Sequence, residues 1–212
     1  MRHLSQRMPE QAAAELQPLV AAYNQMLSQT RSVGDYQALL GSNYEELERL
    51  AKMIDNMLFL AKAEDASQAM DLQDIDLAQL GEKLQDYFDG MAEEQSMRLE
   101  MALHGELRAD PQLLQRALAN LMANALRYGD RDSTVRIFNQ GSSLMVENQG
   151  PALSAEQQAR IFDRFWRADA SRHQGSSGLG LSIVRSIMRL HQGSCEVYSE
   201  QGVNRFTLRF PY

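Results

Sequence analysis

The chain has 212 residues, 44% of them hydrophobic and 23% charged, with a net charge of −7. These values fit a globular protein of one domain plus an appendage, or two small domains. The acidic balance argues against nucleic-acid binding, whose footprint is basic. A single cysteine, Cys195, excludes an internal disulfide and a cysteine-based zinc site and fits a reducing compartment. No stretch reaches the roughly 18 to 20 apolar residues needed to span a bilayer, and the opening MRHLSQRMPEQ has no signal-peptide apolar region. The expectation is a soluble chain, whole or part of something larger.

Residues 10–27 (EQAAAELQPLVAAYNQML) have helical composition interrupted by Pro18. The stretch SQTRSVGD reads as a connector in which Gly34 stops one helix and Asp35 caps the next. From Asp35 to Glu64, the residues Leu40, Tyr44, Leu47, Ala51, Ile54, Leu58 and Ala61 recur at alternating spacings of four and three. That is a heptad seam, with Glu45, Glu46, Glu48, Arg49 and Lys52 outside it. A helix of about 30 residues is roughly 45 Å long and cannot bury such a seam alone. Packing on its own domain and dimerisation in a helical bundle are both open.

The polar stretch DASQAMDLQD, residues 65–74, marks a boundary. Beyond it a strand is expected near residues 75–77, a helix over 78–95, and strands at 98–103 and 106–108. Asp110 as N-cap with Pro111 in the first turn opens a helix to Tyr128. STVRIF and SLMVEN form a hairpin through NQGS. Ser154 and Gln157 make a capping box for SAEQQARIFDRF. A polar loop, residues 167–177, leads into the helix GLGLSIVRSIMRLHQ, which Gly193 stops. Strands at 194–199 and 204–210 close the chain. The expected fold is α+β, a mixed sheet with helices on one face.

Chemistry concentrates in four places. In NLMANALRYG (residues 120–129) Asn120, Asn124 and Arg127 fall within about 60° of one another on the helix, with Arg116 beside them. Leu114, Leu118, Leu121, Met122 and Ala125 take the opposite face. Amide oxygens ligate hard cations and guanidinium groups bind phosphate, so the stripe suits a metal–phosphate group; a solvated face is the plain alternative. In QGSSGLGLSIV, Gly175, Gly178 and Gly180 precede and open a helix, turning free N–H groups toward anions. The pattern is neither a P-loop nor a dinucleotide fingerprint. In VENQGPA, Asn148 and Gly150 set a side-chain amide beside a backbone that a base can approach. In IFDRFWRADASR, Phe162, Phe165 and Trp166 read as core, while Arg164, Arg167 and Arg172 add positive charge before the glycine loop.

Taken in order, NxxxNAxRYG, ENxG, FDRFWR and GxxGLGLSIV resemble the ATP-binding catalytic domain of two-component sensor histidine kinases, a fold shared with gyrase, Hsp90-type chaperones and mismatch-repair ATPases. FDRFWRADASR and ALRYG look most like the heavy-metal-responsive subgroup. The resemblance implies a two-layer α/β sandwich over residues 68–212. It implies the second helix of a dimerisation and phosphotransfer hairpin over 28–67, and the remnant of a HAMP-like output helix over 1–27. It further implies that Asn124 coordinates Mg²⁺ bridging the ATP phosphates with Asn120 in support, that Arg127 contacts phosphate and that Tyr128 lines the cleft. Asn148 takes the place of the family's adenine-reading aspartate, beside Gly150. Phe165, Arg167 and Arg172 belong to a lid over about 163–178, and Gly178, Leu179 and Gly180 wrap the phosphates. Two departures stand out, a neutral amide at Asn148 and a serine at Ser176 where glycine is common.

The implied partners are ATP or ADP, a second copy through the helix 35–64, and a response-regulator receiver domain. Membrane attachment is expected only through a parent sensor, and the location is the cytoplasmic side of a bacterial inner membrane. Hydrolase relatives carry a water-activating glutamate where this chain has Asn120, which cannot act as a base. The site is therefore expected to hold ATP for transfer to a histidine. His3, His104, His173 and His191 are the histidines of the chain, and none is followed by glutamate. No catalytic residue is assigned, and about one helix with its turn is expected to be missing between Leu27 and Ser28. Alternatives are a nucleotide-binding regulatory or dimerisation module, or a serine-kinase or ATPase relative on the same fold.

Overall fold

A computed structural model describes residues 32–63, 70–167 and 178–211. The expected helix over 10–27, the break after Leu27, residues 65–69 of the expected boundary, Arg172 and most of the lid lie outside these residues. The chain divides into two compact units, Met1–Asp55 and Asn56–Tyr212.

Helix α1 (Val33–Ala63) begins two residues before the expected start. The cap is Ser32, not Asp35: the Ser32 hydroxyl accepts from the Asp35 N–H at 3.2 Å, and the Asp35 carboxylate accepts from the Ser32 N–H at 3.2 Å. This reciprocal pairing satisfies first-turn donors that Asp35 alone would leave open. The heptad residues Leu40, Tyr44, Leu47, Ile54 and Leu58 are 50–63% exposed. The side that is covered is one residue earlier in each step, with Asn43 and Met53 buried and Leu39, Glu46 and Leu50 half-buried. The helix therefore carries two adjacent seams, and the one read from the sequence is the open one.

The second unit takes in the end of α1 from Asn56 and continues with β1 (Gln73–Asp76), α2 (Leu77–Glu94), β2 (Arg98–Ala102), β3 (Glu106–Ala109), α3 (Pro111–Tyr128), β4 (Thr134–Gln140), β5 (Ser143–Gln149), α4 (Ala155–Arg160), α5 (Gly180–Leu190), β6 (Ser194–Glu200) and β7 (Val203–Arg209). Five strands form a sheet in the order β2-β4-β5-β7-β6. The β2–β4 pair is parallel and the others antiparallel, which gives the expected mixed sheet. β1 and β3 form a separate antiparallel ribbon that the sequence did not announce. Two side-chain caps start the long helices: Asp76 accepts from the N–H groups of Ala78 and Gln79, and Asp110 from those of Gln112 and Leu113.

The core lies between the sheet and its helices. Leu114, Leu118, Leu121 and Met122 of α3 are fully buried, as are Ile183 and Ile187 of α5 and Ile137 and Leu144 of the sheet. Burying side chains of this size contributes about 1.5–3 kcal/mol each, and this layer holds both helices that carry the polar stripe and the glycine turn. The other face of the sheet is polar. There Glu147 bonds the Arg205 guanidinium at 2.7 Å, and Arg136 pairs with Glu100 at 3.2 Å.

Candidate functional site

The polar stripe of α3 is divided among three jobs, one per helical turn. Asn124 is half-buried and lines a cavity of about 460 Å³, together with Arg127 and Tyr128 from the last turn. The Asn124 amide makes no hydrogen bond to the described residues. Asn120, one turn earlier, does not line the cavity. Its Nδ2 donates to the Arg116 carbonyl at 2.8 Å, and its Oδ1 would stand 3.0 Å from any Cβ placed on Gly180. Arg116, a further turn back, donates to Asn56 Oδ1 at 2.8 Å and lays its guanidinium 4.3 Å from the centroid of the Phe59 ring.

The floor of the cavity is made by two buried amides. Asn148 on β5 and Asn204 on β7 stand directly opposite in the antiparallel register and are 3% and 5% exposed. Both line the cavity. Asn204 is fixed at both ends: Oδ1 accepts from Ser199 Oγ at 2.6 Å, and Nδ2 donates to the Pro151 carbonyl at 3.2 Å. The amide brackets the chain after β5 onto β7. Asn148 Nδ2 donates to the Gln149 carbonyl at 3.0 Å, and since a carbonyl only accepts, this orients Oδ1 as the acceptor that Asn148 offers to a ligand. Gly150 is buried, its N–H bonded to the Gly202 carbonyl at 2.9 Å, and a Cβ there would come within 2.7 Å of the Tyr128 carbonyl. The backbone can reach the end of α3 only through a glycine.

The glycine turn closes on the aromatic segment. Helix α4 ends at Arg160, sooner than expected, and residues 161–165 run on as turns. Phe165 adopts φ +61° and donates its N–H to the Gly178 carbonyl at 3.0 Å. Gly178 has φ +66°, and a Cβ would lie 2.9 Å from the Phe165 carbonyl carbon. Only glycine combines that conformation with so close an approach. Phe165 is 41% exposed, so it serves here as a backbone partner and is not core, as its composition had suggested. Leu179 is fully buried and anchors α5, whose first turn has no side-chain cap. Uncapped N–H groups at a helix start favour an anion. Leu181 and Arg167 complete this side of the cavity, and Arg185 holds the turn after α4 through Asp163 at 3.1 Å.

Of the expected contacts, Asn124, Arg127, Tyr128, Asn148 and Arg167 line one cavity. Asn120, Gly150, Phe165, Gly178, Leu179 and Gly180 stand behind it as supports. Asn204 was not expected; only the strand register reveals it, because a lone polar residue in β7 reads as solvent-facing. Two groups outside the cavity are structural. His191 is buried, accepting from the Asp110 N–H at 3.0 Å while its Nδ1 reaches the Ile187 carbonyl at 2.9 Å. The two bonds join the start of α3 to the end of α5. Burial pushes the Cys195 thiol up to about 11, against the lowering influence of Arg185 and Arg189, which leaves it unreactive.

A cavity with an amide acceptor at its floor, amide and guanidinium groups along one helix, and a glycine-opened helix beside them is laid out for a nucleotide. The fold and the site together are those of an ATPase of this kind: residues 109–212 match the family described as histidine kinase-, DNA gyrase B-, and HSP90-like ATPase, and the chain belongs to it. Within that family it groups with the sensor histidine kinases. It is 36% identical to sensor protein IrlS of Burkholderia pseudomallei, over the whole of this chain and 47% of IrlS. It is 38% identical both to sensor protein CzcS of Cupriavidus metallidurans and to sensor histidine kinase CusS of Escherichia coli, over 87% of this chain and 40% of each relative. The chain thus spans less than half the length of these relatives. Among solved structures, histidine kinase AdeS of Acinetobacter baumannii superposes with a TM-score of 0.77 at 17% identity, covering 96% of this chain and 98% of that one. ThkA, solved in complex with the response regulator TrrA, superposes at 0.72 with 18% identity, over 95% of this chain and 60% of that one. At such identities the likeness establishes the fold. No helix among the described residues is long and apolar enough to cross a membrane.

Proposed function

We propose that this chain is the ATP-binding core of a sensor histidine kinase of the heavy-metal-responsive type, and that it holds Mg-ATP and gives up the γ-phosphate to a histidine. The observation that carries this reading is the cavity itself, with Asn148 at its floor and Asn124, Arg127 and Arg167 along its walls. The exocyclic amino group of adenine would donate to Asn148 Oδ1. The phosphates would lie toward Asn124 and the start of α5, where Arg127 and Arg167 offset their charge.

The donor set bears on the metal. Among the described residues no three His, Cys, Asp or Glu side chains converge, so these residues alone do not build a cation cage. One amide oxygen on Asn124 suits Mg²⁺, which keeps several waters and is shared with substrate phosphates. Mg²⁺ bound with the nucleotide would neutralise the β- and γ-phosphate oxygens. The rest is positioning: Asn124 and the arginines orient the nucleotide, and Asn120, an amide already bonded to Arg116, has no carboxylate with which to activate water. That favours transfer over hydrolysis.

None of the histidines in the sequence precedes a glutamate, so this reading assigns none of them as the acceptor and takes the acceptor from an intact kinase. The exposed seam of α1 supports a second copy or an intact kinase as the helical partner, with a response-regulator receiver next in the relay. The test is incubation with γ-labelled ATP, Mg²⁺ and an intact sensor kinase whose own nucleotide site is disabled. Acid-labile phosphate on the partner's histidine is expected. Nucleotide binding without transfer would leave a regulatory, nucleotide-responsive helical module as the function.

A further inference from the structure

The stripe on α3 does more than line the cavity. Arg116, Asn120 and Asn124 occupy three successive turns of one helix face, and each meets a different part of the protein. Arg116 is held by the last two turns of α1, through the bond to Asn56 at 2.8 Å and the stack on Phe59 at 4.3 Å. Phe59 and Leu60 are buried, and this end of α1, from Asn56 on, is itself part of the second unit. The Arg116 carbonyl takes the Asn120 amide at 2.8 Å. The remaining pole of that amide sits against Gly180, where an added Cβ would stand 3.0 Å from its Oδ1. Gly180 is the first residue of α5, and the next turn of the stripe, Asn124, lines the cavity.

We propose that Arg116 is a positioning residue that links occupancy of the nucleotide cavity to the seating of the last two turns of α1. The inference rests on the nucleotide reading above and adds a direction of communication to it. A ligand drawing Gly180 and Asn124 together presses on the Asn120 amide, whose other end is fixed to the backbone of Arg116. Because that backbone carries the guanidinium holding Asn56 and Phe59, the two sites share one rigid segment. Linkage is reciprocal: if nucleotide alters the seating of α1, then loosening α1 alters nucleotide affinity by the same factor. Lysine at 116 could keep the charge but not the flat face against Phe59 together with a directed N–H to Asn56.

The experiment is amide hydrogen exchange of residues 56–63 in the full chain, without ligand and with saturating Mg²⁺ and a non-hydrolysable ATP analogue. It is run for the natural sequence, Arg116→Met and Asn56→Ala, with analogue affinity measured for each by calorimetry. The natural chain is expected to change exchange over these residues about fivefold on binding. Arg116→Met should abolish most of that response while still binding the analogue. Asn56→Ala, which leaves α3 untouched, should shift affinity by the factor lost from the exchange response. Binding without any exchange response in the natural chain overturns the linkage alone, and so does a full response in both variants. Failure of the natural chain to bind the analogue overturns the nucleotide reading and the linkage with it.

Discussion

Helices α1 and α3 are both long and both amphipathic, yet the protein uses their apolar faces in opposite ways. On α3, Leu114, Leu118, Leu121 and Ala125 are wholly buried against the sheet, and the polar face opposite is spent on Arg116, Asn120 and Asn124. On α1, Leu40, Leu47, Ile54 and Leu58 stand in solvent, at least half exposed. A row of large apolar side chains along one helix is a surface suited to pack on another apolar surface. The period of the pattern is shared, so periodicity alone does not separate a buried face from an exposed one. Burial does.

The largest expected effect lies on the buried side of that comparison. Leu121→Ala removes a side chain with no solvent exposure and should cost about 2–5 kcal/mol of stability in denaturant unfolding, the range for large core truncations. A cost below about 1 kcal/mol would show that the α3 face is not the core described here. On the open side the prediction is reversed. Leu47→Asp combined with Ile54→Asp should leave the thermal midpoint of the second unit within about 2 °C, since exposed positions contribute little. Self-association measured by light scattering should weaken by at least about a hundredfold, because carboxylates would replace the seam. Unchanged association would show that the seam is not a contact between copies. The smallest effect separates the cavity floor from its supports. Asn148→Leu keeps the branched skeleton but removes the acceptor for an amino group, and should weaken adenine nucleotide binding about tenfold, the consequence of one unpaired polar contact. Equal binding would mean that Asn148 does not read the base.

Much of this could be read from the sequence because each signal was local. Asp110 with Pro111, the Ser154 and Gln157 box, and the Gly-containing turn between β4 and β5 each lie within a few residues of what they specify. The spacing of Asn120, Asn124 and Arg127 fixed their common face without any tertiary information. What could not be read depends on distant partners. Asn204 enters the cavity only because β7 pairs with β5 in one register. Arg116 meets Asn56 sixty residues away, and nothing in QRALAN points there. The ribbon of β1 and β3 needs a pairing across α2 and β2. The start of α1 was misplaced because Gly34 and Asp35 read as a stop and a cap, while Ser32 and Asp35 bond each other and carry the helix through the glycine. The early end of α4 reflects a contact made by Phe165 with Gly178, both at positive φ, which no pattern of apolar residues encodes.

The central claim is that the cavity holds ATP with a cation shared between Asn124 and the phosphates. Calorimetric titration of the full chain with ATP, in Mg²⁺ and again in excess chelator, tests it most directly. Binding at least about tenfold tighter with Mg²⁺ is predicted, with Asn124→Ala abolishing that difference, as expected where one protein oxygen joins the phosphates around the ion. Absence of binding, or binding indifferent to Mg²⁺ and to Asn124→Ala alike, would contradict the account.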